Sequence, residues 1–165
     1  CIRDSFHIHI VNFVDQPGFM IGPESEAQGT IRYGMAAVCA ASQSTVPWSV
    51  VQVHKGFGVA TAANYAPGNY VLAWPSVESG ALPLEGGVAV AFHREIAGAE
   101  NPEAKRRELE ERIREARSPF PRAESFAVHE LIDPRETRPM LCEWIDWIQP
   151  QLDNLVGPVR FGMRP

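Results

Sequence analysis

Trp48-Ser49-Val50-Val51-Gln52-Val53-His54 runs without a break into Lys55-Gly56-Phe57-Gly58-Val59-Ala60, and from there into an alanine-rich stretch ending at Ala66. The first seven residues are rich in β-branched side chains and read as a strand. Gly56 and Gly58 punctuate a turn, and Ala60 to Ala66 reads as the opening of a helix. A strand that leaves through a glycine turn into a helix is the repeating unit of a layered α/β domain with parallel strands.

The same pattern extends to both sides. Phe6 to Val14 places Phe6, Ile8, Ile10, Asn12 and Val14 on one face and His7, His9, Val11 and Phe13 on the other. Its last residues are apolar on both faces, so a strand covered from both sides is expected. Asp15-Gln16-Pro17-Gly18 reads as a turn. Ser25 with Gln28 three residues on reads as a capping box. The helix behind it carries Ile31, Met35, Val38, Cys39 and Ser42 as a core-facing stripe, which makes Cys39 a packed core residue. Gly29 and Gly34 each weaken such a helix by about 1 kcal/mol relative to Ala, so close packing is expected there. Asn69 to Trp74 is a third strand, stopped by Pro75, and Gly80 to Gly87 leads into an apolar run from Val88 to Phe92.

The second half changes character. Residues 94–122 carry eight basic and seven acidic side chains. Glu103/Arg107, Arg107/Glu111, Glu108/Arg112 and Glu110/Arg114 are opposite charges four apart, each worth about 0.2–0.5 kcal/mol on a helix. Leu109, Ile113 and Ala116 form a narrow apolar stripe, so a solvated surface helix is expected, ended by Ser118-Pro119-Phe120-Pro121. Asp133-Pro134 opens a last helix whose Met140, Leu141, Trp144, Ile145 and Ile148 make a broad apolar face. The expected fold class is α/β, with one domain over residues 1–150 and a tail over residues 151–165, poorly ordered from Gly157 on.

The chain has 165 residues, 15 basic against 20 acidic, and a formal net charge of −5. That length suits one domain. The acidic balance, without a basic stripe interleaved with aromatics, argues against nucleic acid as a partner. No apolar run approaches the roughly 18–20 residues of a membrane-spanning helix, so no membrane role is expected. Cys1, Cys39 and Cys142 fit neither a disulfide framework nor a CxxC metal site. They read as free thiols of a reducing, cytoplasmic compartment. The first residue is Cys1 rather than Met, no signal-peptide pattern precedes the strand, and a longer parent chain is expected.

Side chains that carry orthodox catalysis are scarce. His7 and His9 stand two apart, a spacing metal sites use, but no third ligand lies near in sequence; two strand histidines are the plainer reading, and no metal is expected. His54, His93 and His129 are scattered and no serine sits in a GxSxG elbow, so a serine triad is not expected. The glycine turn at 55–60 has two readings. It is a tight strand-to-helix junction with close packing, or it is an anion site in which helix-start N–H groups, lacking helical acceptors, face a ligand. Glu85-Gly86-Gly87 offers the same geometry.

Six segments, in order over residues 6–148, resemble the biotin-dependent acyl-CoA carboxylases. Phe13-Val14-Asp15-Gln16-Pro17-Gly18-Phe19 resembles their LVDxPGF, and Gly29-Thr30-Ile31-Arg32-Tyr33-Gly34 their GxIRxG helix. Thr45-Val46-Pro47 matches a TVP before a strand. Lys55 to Ala60 is similar to a K-A-Y/F-G-G-A turn, and Ala73-Trp74-Pro75-Ser76 to an AWP motif. Pro119-Phe120 with Ile132-Asp133-Pro134-Arg135-Glu136-Thr137-Arg138 resembles NP(F/Y)…IDPxxTR. The resemblance implies a crotonase-like (ClpP/crotonase) domain, the C-terminal half of a carboxyltransferase subunit, whose partners are an N-terminal carboxyltransferase domain, biotin carboxyl carrier and biotin carboxylase components, and further copies of itself. It implies carboxyl transfer from carboxybiotin to the α-carbon of an acyl-CoA, with biotin as both carrier and base and backbone donors stabilising the anions. The biotin-side oxyanion hole maps onto the N–H groups of Val59 and Ala60, shaped by Gly58. Substrate contacts map onto Ala62, which stands where short-chain carboxylases carry an acidic residue, and onto Gly86 and Gly87. Val59 replaces a family glycine, and Leu82 to Gly87 replaces M-G-A-x-G-A.

Three other functions share the scaffold. A biotin-dependent decarboxylase runs the transfer in reverse. A crotonase-type hydratase or isomerase would use glutamates, for which Glu78 and Glu85 are candidates. A non-catalytic assembly module would use the apolar face of residues 140–148.

Overall fold

The computed structural model describes residues 6–81, 84–155 and 157, leaving aside the side chains of Glu85, Gly86 and Ala116. In chain order the elements are β1 (Ile10–Gln16), α1 (Pro23–Ala27), α2 (Thr30–Ser42), β2 (Trp48–Phe57), α3 (Gly58–Ala62), β3 (Tyr70–Ala73), β4 (Glu78–Gly80), α4 (Leu84–Ala91), α5 (His93–Ala97), α6 (Pro102–Arg117), α7 (Pro119–Glu124), β5 (Glu130–Leu131), α8 (Thr137–Ile148) and α9 (Leu152–Leu155). The strands pair in the order β1-β2-β3-β5, and β4 continues along β2 beyond β3. All pairings among the described residues are parallel. This is the α/β class with a parallel sheet that the strand–turn–helix grammar predicts.

β2 is the axis of the sheet. Val50 and Val51 are both fully buried although they face opposite sides, because helices cover each side. Below one face lie Val14, Val50, Val71, Ala73, Val77 and Val128, with Tyr65 and Ala123 packed on them. On the other, Val51, Leu72 and Ile132 meet Met140 and Leu141 of α8. Each fully buried Val or Leu contributes about 1.5–3 kcal/mol through lost water contact.

β1 departs from expectation in two ways. It starts at Ile10 rather than Phe6, because His7 sits in a turn at φ 53° and leaves Phe6 and Ile8 exposed. It is also covered on one side only. Val14 is 2% exposed whereas Phe13 is 56% exposed. α8 lies over β2 and β3, and between it and Phe13 runs an open groove of about 440 Å³.

The expected capping box at Ser25 and Gln28 does not form. Gly22 precedes α1, Ser25 is buried inside it, and the left-handed Gly29 (φ 78°) splits the helix in two. The buried face of α2 is Gly34 and Ala41, with Val38 half-buried, about one position away from the predicted stripe. Ile31, Met35, Cys39 and Ser42 are exposed, so Cys39 is not a core residue. The cause is Phe19: its ring lies so close that a Cβ on Gly34 would come within 2.3 Å of it, and only small residues admit that approach. Further on, the alanine-rich helix stops at Ala62 instead of Ala66. β4 is a strand the sequence did not announce, and Val88 to Ala91 completes a helix.

α6 is the solvated helix expected, anchored by the fully buried Leu109. Its ion pairs take another register from the one expected: Arg106 to Glu110 at 2.7 Å, Lys105 to Glu108 at 3.0 Å, and Arg114 to Glu111. Lys105 also reaches Glu95 of α5 at 3.2 Å, and Lys105 and Arg106, which belong to none of the expected pairs, take up Glu108 and Glu110. Asp133 caps the turn Pro134–Glu136, with Glu136 closing a capping box, and α8 follows with Trp144 buried. The helical path continues through Gln149–Gln151 into α9. Cys1, Leu82 and Pro83, and residues 156 and 158–165 of the expected tail, lie outside the described residues.

Candidate active site

The C-terminal ends of β2 and β4 lie side by side, with Phe57 registered on Gly80. Each strand leads into a helix, β2 directly into α3 and β4 toward α4. The end of a parallel sheet where strands give way to helix starts is where such folds place ligands.

Gly58 makes the turn. Phe57 is still extended, and Gly58 at φ 64° swings the chain into α3. That left-handed conformation costs a residue with a Cβ about 1–2 kcal/mol. A Cβ here would also stand 3.3 Å from the Ala81 carbonyl oxygen. Val59 does not share the positive φ, so its β-branched side chain is compatible with the turn, and it points out to solvent, 57% exposed. Ala60 is buried and Ala62 exposed. Val59 and Ala60 occupy the first turn of α3, where N–H groups have no acceptor within the helix. Gly86 and Gly87 lie in the first turn of α4 rather than in the junction before it, with Gly87 buried. The two glycine segments predicted from sequence thus belong to neighbouring strand ends.

Side chains brace α3 at both ends. Thr61 Oγ1 donates to the Phe57 carbonyl at 3.0 Å. Asn64 Nδ2 donates to the Ala60 carbonyl at 3.3 Å, and Asn12 Nδ2 of β1 donates to Asn64 Oδ1 at 3.0 Å. Beside them, Gln52 Nε2 donates to the Tyr65 hydroxyl, and burial pushes the Tyr65 phenol above its ordinary range. On the outer side Asp15 Oδ1 accepts the Lys55 N–H at 3.0 Å and lies 3.5 Å from His54 Nδ1.

Two guanidiniums stand close by. Arg117 lies over the Phe57 ring, 5.2 Å from its centroid, and Arg122 donates to Ser79 Oγ. Burial pulls the Arg117 guanidinium down from its ordinary range, with the Glu78 charge opposing that pull. An arginine stays charged under such a shift. Glu78 itself opens β4 on the exposed side, registered on Lys55.

Sequence reasoning did not single out Asn64 or Arg117. Asn12 was visible as a polar residue on the face it shares with Val14, which is the signal for a buried polar partner. No group of three metal-ligating side chains occurs among the described residues. His9 instead meets Trp144 edge-on at 5.8 Å. Nor is any helix among them long and apolar enough to cross a membrane.

Comparison with known proteins gives a match to the carboxyl transferase domain over residues 2–151. The chain belongs to the carboxyl transferase domain family. It is 36% identical over 139 residues to the carboxyltransferase subunit of propionyl-CoA carboxylase from Haloferax mediterranei, covering 82% of this chain and 27% of that protein. To the methylmalonyl-CoA carboxyltransferase 12S subunit of Propionibacterium freudenreichii it is 37% identical, over 82% of this chain and 26% of that one. To the methylmalonyl-CoA decarboxylase subunit alpha of Propionigenium modestum it is 30% identical, over 92% and 30%. The carboxyl transferase chain therefore spans between a quarter and a third of the length of these relatives. The transcarboxylase 12S crystal structure superposes with a TM-score of 0.83 at 32% identity, over 99% of this chain and 31% of that one. The Pseudomonas aeruginosa geranyl-CoA carboxylase beta subunit, 19% identical with a TM-score of 0.79, shares the fold. The carboxyl transferase chain has the crotonase-like fold that its motifs imply.

Proposed function

We propose that this chain supplies the biotin-side half of the active site of a biotin-dependent acyl-CoA carboxyltransferase. The observation that carries this reading is the left-handed Gly58, which ends β2 and sets Val59 and Ala60 at the start of α3. Two N–H donors aimed at one point stabilise developing negative charge, and losing one such donor costs about 10²–10³ in rate. The residues fit a ureido oxygen. Val59 is exposed and Ala60 buried beside it, and Gly58 brings no side chain to the turn. When bound, carboxybiotin supplies the carboxyl group and the base. Val59 and Ala60 then hold the ureido oxygen through their N–H groups, while Arg117 behind Phe57 adds positive potential.

In this reading Ala62, Gly86 and Gly87 face the acyl-CoA, and an N-terminal carboxyltransferase domain contributes the remaining thioester contacts. A biotin carboxyl carrier delivers the carboxyl group, and a biotin carboxylase component charges that carrier. The transcarboxylase 12S relative assembles as a hexamer, which supports a homo-oligomer here. The exposed thiols of Cys39 and Cys142 suit a reducing cytoplasm. Residues 1–150 are taken as the domain and 151–165 as its tail, a division supported by the family match over residues 2–151. The similarity to a methylmalonyl-CoA decarboxylase subunit favours a second reading, the same chemistry run as decarboxylation.

Val59→Pro tests the assignment. It deletes one N–H in the first turn of α3, where no helical hydrogen bond is lost, and Gly58→Ala, which disturbs the turn but keeps that N–H, is run beside it because a proline also restricts the residue before it. In the full-length protein with its biotinylated carrier, carboxyl transfer is expected to fall about 10²–10³-fold with the circular dichroism unchanged. A folded variant within a few-fold of the parent rate would remove Val59 from the site.

A further inference from the structure

A helix of five residues cannot hold its own geometry, since the nucleation cost of a first turn is recovered only over many further residues. α3 is such a helix, and its C-terminal end is already off the helical ladder. The N–H of Asn64, which would bond the Ala60 carbonyl in a continuing helix, bonds the Thr61 carbonyl instead at 3.0 Å. The N–H of Tyr65 similarly goes to Ala62 at 3.2 Å. The Ala60 carbonyl receives the Asn64 side chain in place of that backbone donor, at 3.3 Å. Asn64 is in turn fixed from the sheet: Asn12 Nδ2 donates to its Oδ1 at 3.0 Å and to its backbone carbonyl at 3.3 Å. Asn12 is registered on Val50 in the middle of the β1–β2 ladder, a rigid base for the chain of contacts.

We propose that Asn64, held by Asn12, is a positioning residue that sets the aim of the Val59 and Ala60 N–H groups. This rests on the oxyanion role proposed above for those two residues. Asn64 touches no substrate in this scheme. It closes the last open carbonyl of α3 and ties the helix to β1, so that Gly58 at one end and Asn64 at the other leave the turn a single orientation. Small losses of aim are costly in such a site, and a shift of about 1 Å lowers rates about a hundredfold.

The test separates aim from folding in the full-length protein with its biotinylated carrier. Asn64→Leu removes the donor to the Ala60 carbonyl and leaves Asn12 Nδ2 only the residue-64 backbone carbonyl as acceptor, so both stability and rate are expected to fall. Asn12→Val combined with Asn64→Leu removes both members of the side-chain pair, Asn12 Nδ2 and Asn64 Oδ1, and so restores part of the stability, the Ala60 and residue-64 carbonyls having lost their side-chain donors. In this double variant the melting temperature is expected to rise part of the way back from that of Asn64→Leu while kcat stays about ten- to a hundredfold below the parent and the acyl-CoA KM holds within about twofold. If kcat returned with the melting temperature, or if Asn64→Leu left kcat unchanged, the positioning role would be refuted. Val59→Pro, run alongside, distinguishes the two claims. Its loss of activity with Asn64→Leu fully active removes only the positioning role, and a fully active Val59→Pro removes both.

Discussion

At Gly58 two demands meet, a left-handed φ and a carbonyl oxygen close to where a side chain would begin. Gly58→Ala is therefore expected to cost at least about 1–2 kcal/mol of stability, read from denaturant melts, and to lower carboxyl transfer beyond that loss. Val59, one residue on, escapes the constraint because the turn is completed before it. The resemblance put Val59 where relatives carry glycine, and only the backbone angles show that one glycine suffices. Asn12 and Asn64 were each readable as polar residues, yet 52 positions separate them. Their pairing needs the β1–β2 register and the early end of α3, neither of which local sequence contains.

Among the elements, β2 and α6 were the most legible and β1 and α2 the least. β2 carries apolar residues on both faces and is buried on both. β1 has the same look, but α8 stops short of it, so coverage was decided by a helix more than a hundred residues away. Val14→Ala is expected to cost about 2 kcal/mol, whereas Phe13→Ala should cost less than about 1 kcal/mol. Equilibrium unfolding of the two variants checks which face is inside. In α2 the pattern of large apolar residues misled because the face that packs carries the small Gly34 and Ala41, and the Phe19 ring leaves no room for a side chain at Gly34. Asp133-Pro134, expected to open the last helix, opens the turn Pro134–Glu136 that leads into α8 at Thr137. Hydrogen bonds from the Arg135 side chain, then its backbone, hold the Asp133 carboxyl at about 2, below its ordinary 3.8. A depressed carboxyl stabilises the folded state fully above about pH 4 and loses that contribution as pH falls through about 2. Asp133→Asn is expected to keep the cap and flatten this part of the acid limb, which thermal melts between pH 5 and pH 2 would show. An unchanged limb would assign the acid sensitivity elsewhere.

For the molecule as a whole, the chain belongs to a family whose described members are about three times longer, and the site proposed for it uses strand ends and backbone donors rather than a cluster of charged side chains. The scarcity of catalytic clusters in the sequence was therefore informative, although only the motifs explained it. On the proposed division of the active site, the 165-residue chain alone should form no product from free carboxybiotin and propionyl-CoA, while the chain combined with an N-terminal carboxyltransferase domain should. Turnover by the short chain at a comparable rate would show that it holds both halves of the site.

The all-parallel sheet carries a consequence for how the chain is made. Among the described residues no two strands are joined by a hairpin, so every pairing there waits on a long connection to close. Leu72 of β3 meets its partner Glu130 only after the whole charged helix has been synthesised. At about 5–20 residues per second on a ribosome, the outer edge of β3 stays unpaired for several seconds. That interval exposes Val71, Leu72 and Ala73, all of which are buried at the end. The nascent chain is thus most prone to wrong pairing while α6 is being made, and a strand of only two residues, β5, ends the risk.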